Sequence, residues 1–210
     1  MIIEVWSDVV CPWCFIGRRR LQKAITGLPS GAEVQVVHHA FQLNPAANET
    51  VSTQKMLAEK YRVSSDQVAA MQANVCEIAD AEGLCYNLSD TLSGNTKDAH
   101  RLLIWAEKFN KQDELLEAMY SSYFEKSGSL FDHEVLADLT SQVGLEKSAA
   151  LALLNTEEFS SEVEVDQATA HQFGANGVPF YVIDRKYAIS GAQPQEIFNQ
   201  TLVKALTEVD

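Results

Sequence analysis

The chain is expected to fold as an α/β protein whose two sheet-forming halves are separated by a large all-α insertion. Three stretches of pattern lead there. Residues 1 to 41 read strand, helix, strand; residues 157 to 207 read helix, strand, strand, helix; and the roughly 110 residues between them carry helical periodicity. The division this implies is a discontinuous α/β domain of residues 1–43 and 156–210, interrupted by a helical domain of residues 44–155.

Each element has a local reason. Met1 to Trp6 is a short apolar run of strand length, and Phe15 to Ile25 has the spacing of a helix. Val34 to Phe41 (VQVVHHAF) is rich in β-branched residues and follows the turn-like Leu28 to Gly31, which completes a βαβ beginning. Ser64 and Ser65 then precede Val68, Met71, Val75 and Ile78 at helical spacing, and Gly83 suits the end of that helix. A further helix starts near Asn95 or Thr96 and carries Leu102, Leu103, Ala106 and Phe109. Glu114 to Phe124, His133 to Val143 and Lys147 to Leu154 complete the helical block. Glu157 to Phe173 reads as one more helix, Gly177 to Ser190 as two strands around a turn at Asp184 to Lys186, and Pro194 to Thr207 as the closing helix.

Composition narrows the function. With 210 residues the chain can bury roughly 70% of its unfolded surface, so neither a metal nor a disulfide is needed for stability. Sixteen Lys and Arg against 29 Asp and Glu give a formal net charge of -13, which argues against general binding to nucleic acid or to an anionic membrane. The start MIIEVW lacks the basic region and small-residue cleavage site of a signal peptide, and no apolar run approaches ~18 residues, so a cytoplasmic location is expected. Four cysteines are too few for a disulfide-built scaffold.

The most specific local feature is Cys11-Pro12-Trp13-Cys14, between the first strand and the first helix. Thiol–disulfide exchange needs a thiolate, and an ordinary thiol, with a pKa of about 8.5, is mostly protonated at neutral pH. A helix N-terminus presents unpaired N–H groups and the positive end of the helix dipole, so Cys11 is the expected nucleophile. Pro12 fits the first turn, where a missing N–H is harmless. Cys14, one turn on, is expected to be the more buried partner that resolves the mixed disulfide. Asp8 opposes thiolate formation, and Arg18, Arg19 and Arg20 lie too far along the helix to matter much to Cys11.

The outer segments resemble the thioredoxin fold, and the helical insertion resembles the DsbA family. SDVVCPWCFIG at 7–17, FQLNP at 41–45, NTKDAHRL at 95–102 and GVPFYVIDRKYAISGAQP at 177–194 together look like the FrnE-like branch of DsbA-family thiol–disulfide oxidoreductases. The resemblance implies a cis peptide before Pro179, with its loop facing the cysteine pair and the Val178 backbone free to pair with an extended substrate. It implies protein or peptide thiols and disulfides as partners, with glutathione or a thioredoxin-type protein as reductant. Apart from the redox-active pair itself, no cofactor is expected. An isomerase role stays open. The sequence is also similar to the kappa-class glutathione transferase and 2-hydroxychromene-2-carboxylate isomerase relatives of DsbA. Those relatives typically keep a serine where Cys11 stands and carry Ser-Asp where this chain has Ala192-Gln193.

Other candidates weigh less. Cys76 and Cys85 are expected to be small buried hydrophobes, with a structural or regulatory disulfide between them the open alternative, and their spacing is poor for zinc, so no metal is expected. His38 and His39 alternate across the second strand. Core or surface packing is the first expectation for both, and His39 is carried as the site candidate because a residue of this strand can approach the cysteine helix, where a buried imidazole could shuttle a proton to or from Cys14. Asn44, as a contact for a glutathione-like ligand, and His100 are further site-lining candidates. Trp13, Phe15, Phe41, Phe180 and Tyr181 are expected to offer an apolar rim suited to unfolded polypeptide, with a core position the equal alternative for Phe15 and Tyr181.

Overall fold

The computed structural model describes residues 1–208. They run in the order β1 (Ile2–Ser7), α1 (Pro12–Thr26), β2 (Gln35–Ala40), β3 (Val51–Ser52), α2 (Thr53–Tyr61), α3 (Ser65–Ala81), β4 (Leu92–Ser93), α4 (Lys97–Glu107), α5 (Gln112–Tyr120), a π-helical turn (Ser121–Glu125), α6 (His133–Gln142), α7 (Lys147–Leu154), α8 (Ser160–Gln172), β5 (Phe180–Ile183), β6 (Tyr187–Ser190) and α9 (Gln195–Thr207). This is a thioredoxin-like α/β fold interrupted by helices.

The chain divides into two compact units. One comprises Met1–Leu43 with the segment from Glu164 onward, and the other Asn44–Val163. The second boundary falls inside α8, whereas the sequence places it at 155/156, because loop composition marks where a helix begins and says nothing of where along it the packing partners change.

In the sheet unit the strand order is β2-β1-β5-β6, with β2 parallel to β1 and the β1–β5 and β5–β6 pairs antiparallel. Alternation along β1 sends Ile3 and Val5 to one face, where they pack with Leu21 and Ala24 of α1, Tyr181 and Ile183 of β5, Ile189 of β6 and Phe198, Leu202 and Ala205 of α9. Trp6 goes to the other face, with Phe41, Ala170, Ala175, Phe180 and Val182. The β5–β6 hairpin turns through Asp184 and Arg185, both in the left-handed region at φ 47° and 54°.

The helical unit starts α3 with a capping box, in which the Ser64 hydroxyl accepts from Gln67 N and the Gln67 side chain accepts from Ser64 N. Gly83, at φ +84°, lets the chain leave α3 and turn back along it. Arg101 of α4 is buried but paired, its guanidinium donating to Asp98 Oδ1 at 2.7 Å and to the carbonyls of Leu153, Thr156 and Glu158 at 2.9, 2.6 and 2.7 Å. Two features of this unit are not among the elements expected from the sequence. β3 and β4 form a two-residue antiparallel ladder, and α2, which buries no residue fully, has too weak an apolar stripe to announce itself. Among the described residues no helix is long and apolar enough to cross a membrane.

Candidate active site

Cys11 is the N-cap of α1, with extended backbone (φ -94°, ψ 112°), and Pro12 is the first helical residue. The turn is closed by Cys11 N donating to Asp8 O at 3.1 Å and Cys14 N donating to Cys11 O at 3.0 Å. Both cysteines are buried free thiols, at 4% and 2% exposure, while Pro12 and Trp13 are half-buried above them. Cys11 therefore lies at the positive end of α1, where negative charge is favoured. Burial pushes the Cys14 thiol well above its ordinary pKa, and a hydrogen bond from Cys11 and the Cys11 charge add to this; a backbone hydrogen bond at Asp8 acts weakly against it. The asymmetry suits one sulfur that attacks and one that is held in reserve.

The loop before β5 completes the site. The Val178–Pro179 peptide is cis, and the Cys11 thiol donates to the Val178 carbonyl at 3.6 Å. Pro179 is buried and Val178 half-buried. The Pro179 carbonyl is fixed by Gly191 N at 2.8 Å, and the Val178 side chain packs on the cluster of Trp6, Phe41 and Phe180. The Asp8 side chain, almost wholly buried, accepts from Leu43 N at 2.7 Å and ties the loop before the cysteines to the end of the strand region.

His39, expected beside the cysteine helix, lies elsewhere. His39 points away from α1. Its Nδ1 is 2.8 Å from Asp166 Oδ1 of α8, its ring stacks on Trp6 at 4.6 Å, and Glu4 is 3.5 Å from its Nε2. The histidine on the α1 face is His38, whose Nε2 is 3.2 Å from Arg18 Nη1. Alternation says that the two histidines take opposite faces but not which takes which. Of the expected apolar rim only Trp13 is partly exposed; Phe15, Phe41, Phe180 and Tyr181 are core, with Phe41 edge-on to His171. His100 is buried on α4, and Asn44 is an exposed residue at the start of the helical unit. Cys76 is half-buried with its thiol 3.8 Å from Tyr86 O, but Cys85 is exposed, not buried, because the chain that turns back after Gly83 presents it outward. Among the described residues no cluster of His, Cys, Asp and Glu is arranged to hold a metal.

Two polar groups escaped the sequence reading. Asp166 holds the α8 face together, its Oδ2 accepting from Ala40 N at 2.8 Å and its carbonyl accepting from Trp6 Nε1 at 2.9 Å. Tyr181, read as apolar rim or core, carries a buried hydroxyl on the cysteine face. Gly17 was the available signal for the tyrosine, since glycine inside a helix costs stability unless something approaches closely.

The family model described as DSBA-like thioredoxin domain matches residues 2–203. Among solved structures, a probable DsbA oxidoreductase from Streptomyces coelicolor is 39% identical, with a TM-score of 0.96 over 100% of this chain and 92% of that one. The cytosolic disulfide reductase DsbM from Pseudomonas aeruginosa, also solved with GSH, shares the fold at 14% identity and a TM-score of 0.69, each chain being covered in full. The uncharacterized protein YwbO of Bacillus subtilis is 24% identical over 95% of this chain and 94% of its own.

Proposed function

The chain belongs to the DSBA-like thioredoxin-domain family, and we propose that it exchanges disulfides with protein or peptide substrates through Cys11 and Cys14. In the reducing direction the Cys11 thiolate attacks one sulfur of a substrate disulfide. A Cys11–substrate bond forms, and the other substrate sulfur leaves as a thiolate and takes a proton from water. Cys14 gives its proton to the hydroxide so formed and as thiolate attacks Cys11 Sγ, the Cys11–substrate bond breaks, and the second substrate thiolate is released. The substrate gains two electrons and the pair becomes a disulfide. Run backward, the same steps oxidise a substrate dithiol, and the potential of the pair against its surroundings sets the direction.

The observation that carries this reading is the placement of the pair: Cys11 at the start of α1 with its sulfur against the Val178 carbonyl, and Cys14 buried one turn on. Val178 and the cis Pro179 offer backbone to an extended substrate beside Cys11, and Pro12 and Trp13 form the rest of the exposed surface around it. The fold likeness to DsbM supports a reducing, cytosolic setting with glutathione as one electron donor. The kappa-class alternative is disfavoured by Cys11, since those relatives keep a serine there.

A trapping experiment tests the reading. Cys14→Ser protein incubated with a peptide disulfide is expected to accumulate a stable Cys11–peptide adduct of one peptide per chain, which wild type resolves. Mass spectrometry that finds no adduct in the variant, or the same adduct persisting in wild type, would contradict it.

A further inference from the structure

Tyr181 sits on the central antiparallel strand β5 directly opposite Val5, in the apolar layer between the sheet and α1. Its ring stands edge-on to Phe198 at 5.0 Å, and it is 1% exposed. Its hydroxyl, equally buried, has no hydrogen-bond partner among the described residues. A buried hydroxyl without a partner costs free energy that a phenylalanine would not, so the position calls for a reason. The hydroxyl lies against α1 at Gly17, where any Cβ would overlap the phenol oxygen and come within 3.1 Å of Pro179 Cγ. Gly17 follows Cys14 by three residues, on the same face of the helix. Helical Cα–Cβ bonds tilt toward the N-terminus, so an oxygen occupying the Gly17 Cβ position lies on the Cys14 side of that glycine.

We propose that the Tyr181 hydroxyl is the hydrogen-bond donor to Cys14 Sγ during the resolving step, the one moment at which that buried sulfur is a thiolate. This rests on the dithiol reading above and deepens it. The phenol keeps its proton throughout. It donates while Cys14 Sγ bonds to Cys11 Sγ and the substrate thiolate departs, and it has no partner once the disulfide has formed. The charges around it are consistent with a donor. Burial raises the phenol well above its ordinary range, the charges of Cys14 and Cys11 add to that, and Arg20 and Arg18 of α1 oppose it less strongly, so the hydroxyl stays protonated at working pH. Asp8 is the carboxylate nearest in sequence, and it acts on Cys14 through its backbone and its charge. His38, on β2, is engaged with Arg18. Between β1 and α1 the position facing Tyr181 is Val5, and Ser7, two residues further along the same face of β1, is also a buried hydroxyl.

The experiment separates the two chemical steps. Reduced full-length protein carrying Cys76→Ser and Cys85→Ser, so that Cys11 and Cys14 are its only thiols, is mixed with a chromogenic bis-nitrobenzoate disulfide. Attack by Cys11 releases one chromophore in a concentration-dependent phase, and resolution by Cys14 releases the second in a first-order phase. Tyr181→Phe is expected to leave the first phase unchanged and to slow the second about tenfold, the scale of a hydrogen bond to a charged group. The pH midpoint of the second phase is expected to move upward. A second phase with unchanged rate and midpoint overturns the proposal, as does equal slowing of both phases, which a merely structural role would give. Absence of a second phase in wild type would instead sink the dithiol reading, and this one with it. If the phenylalanine variant does not fold, single-site replacement of Tyr181 by 3-fluorotyrosine, a stronger donor, is expected to move the midpoint downward, and an unmoved midpoint overturns the proposal.

Discussion

The two faces of the central sheet treat polar groups in opposite ways. On the face under α8 most polar atoms are used in contacts: His39 Nδ1 meets Asp166, while its Nε2 makes no hydrogen bond though Glu4 is 3.5 Å away, Trp6 Nε1 and Ala40 N both donate to Asp166, and Glu4 holds Arg185 through two contacts. On the face under α1, an apolar layer surrounds two free thiols and a phenol whose hydroxyl is left without a partner. The first arrangement is what stability favours, since buried polar groups cost least when hydrogen-bonded. The second accepts unsatisfied groups where charge must appear and disappear during a reaction. The contrast separates structure from chemistry within one sheet, and changes to either face should affect stability and exchange separately.

The largest separation is expected at Asp166. Asp166→Ala removes the acceptor of Ala40 N and the partner of His39, and should destabilise the protein by about 2 kcal/mol in denaturant unfolding. The rate at which Cys11 attacks a disulfide should be unchanged. A variant that lost attack rate in proportion to stability would erase the distinction between the faces.

Next comes Gly17. Alanine in a helix interior ordinarily gains about 1 kcal/mol over glycine, yet here its methyl would overlap the Tyr181 hydroxyl. Gly17→Ala is expected to be net destabilising by about 1 to 2 kcal/mol, as overpacking is elsewhere, and Tyr181→Phe in the same chain should recover part of the loss. Chemical denaturation of the two single variants and the double closes the cycle. Additive effects would place the phenol away from α1.

The smallest effect is a pH dependence that exists only in the reduced protein. The folded state holds Cys14 above its ordinary pKa, so once the pH passes the unfolded value of about 8.5 the unfolded chain has given up a proton that the folded chain keeps. The stability tied to Cys14 is therefore complete below that pH and is lost as the pH rises toward the folded value. The oxidised form has no such thiol. Unfolding curves from pH 7 to 10 should show the reduced form losing stability relative to the oxidised one, and parallel curves would contradict the burial argument for Cys14.

How much of this was legible beforehand depends on whether a feature is local. The strand–helix junction that carries Cys11 and Cys14, the helix starts at Ser64 and near Thr96, and the hairpin turn at Asp184 to Lys186 are written in short stretches of sequence, and they form at or within a few residues of those positions. What was not legible depends on packing between distant segments. The choice of His38 over His39 for the α1 face is a phase that alternation leaves undetermined. The conversion of Phe41, Phe180 and Tyr181 from rim to core needs the pairing of β1 with β5. Asp166 is one of several carboxylates around α8 until α8 lies against β2. The ladder between β3 and β4 is two residues long on each side and has no run to read.

The most direct measurement is a redox titration. Protein equilibrated in a series of glutathione buffers, quenched by alkylation and weighed by mass spectrometry, is expected to pass between a form with Cys11 and Cys14 both alkylated and a form, two alkyl groups lighter, with neither alkylated. A single reversible two-electron transition is the predicted result, and its midpoint gives the direction of exchange against the cellular poise. A pair that never closes, with one glutathione held stably on Cys11, would contradict the dithiol account and favour a glutathione-transferring enzyme in its place.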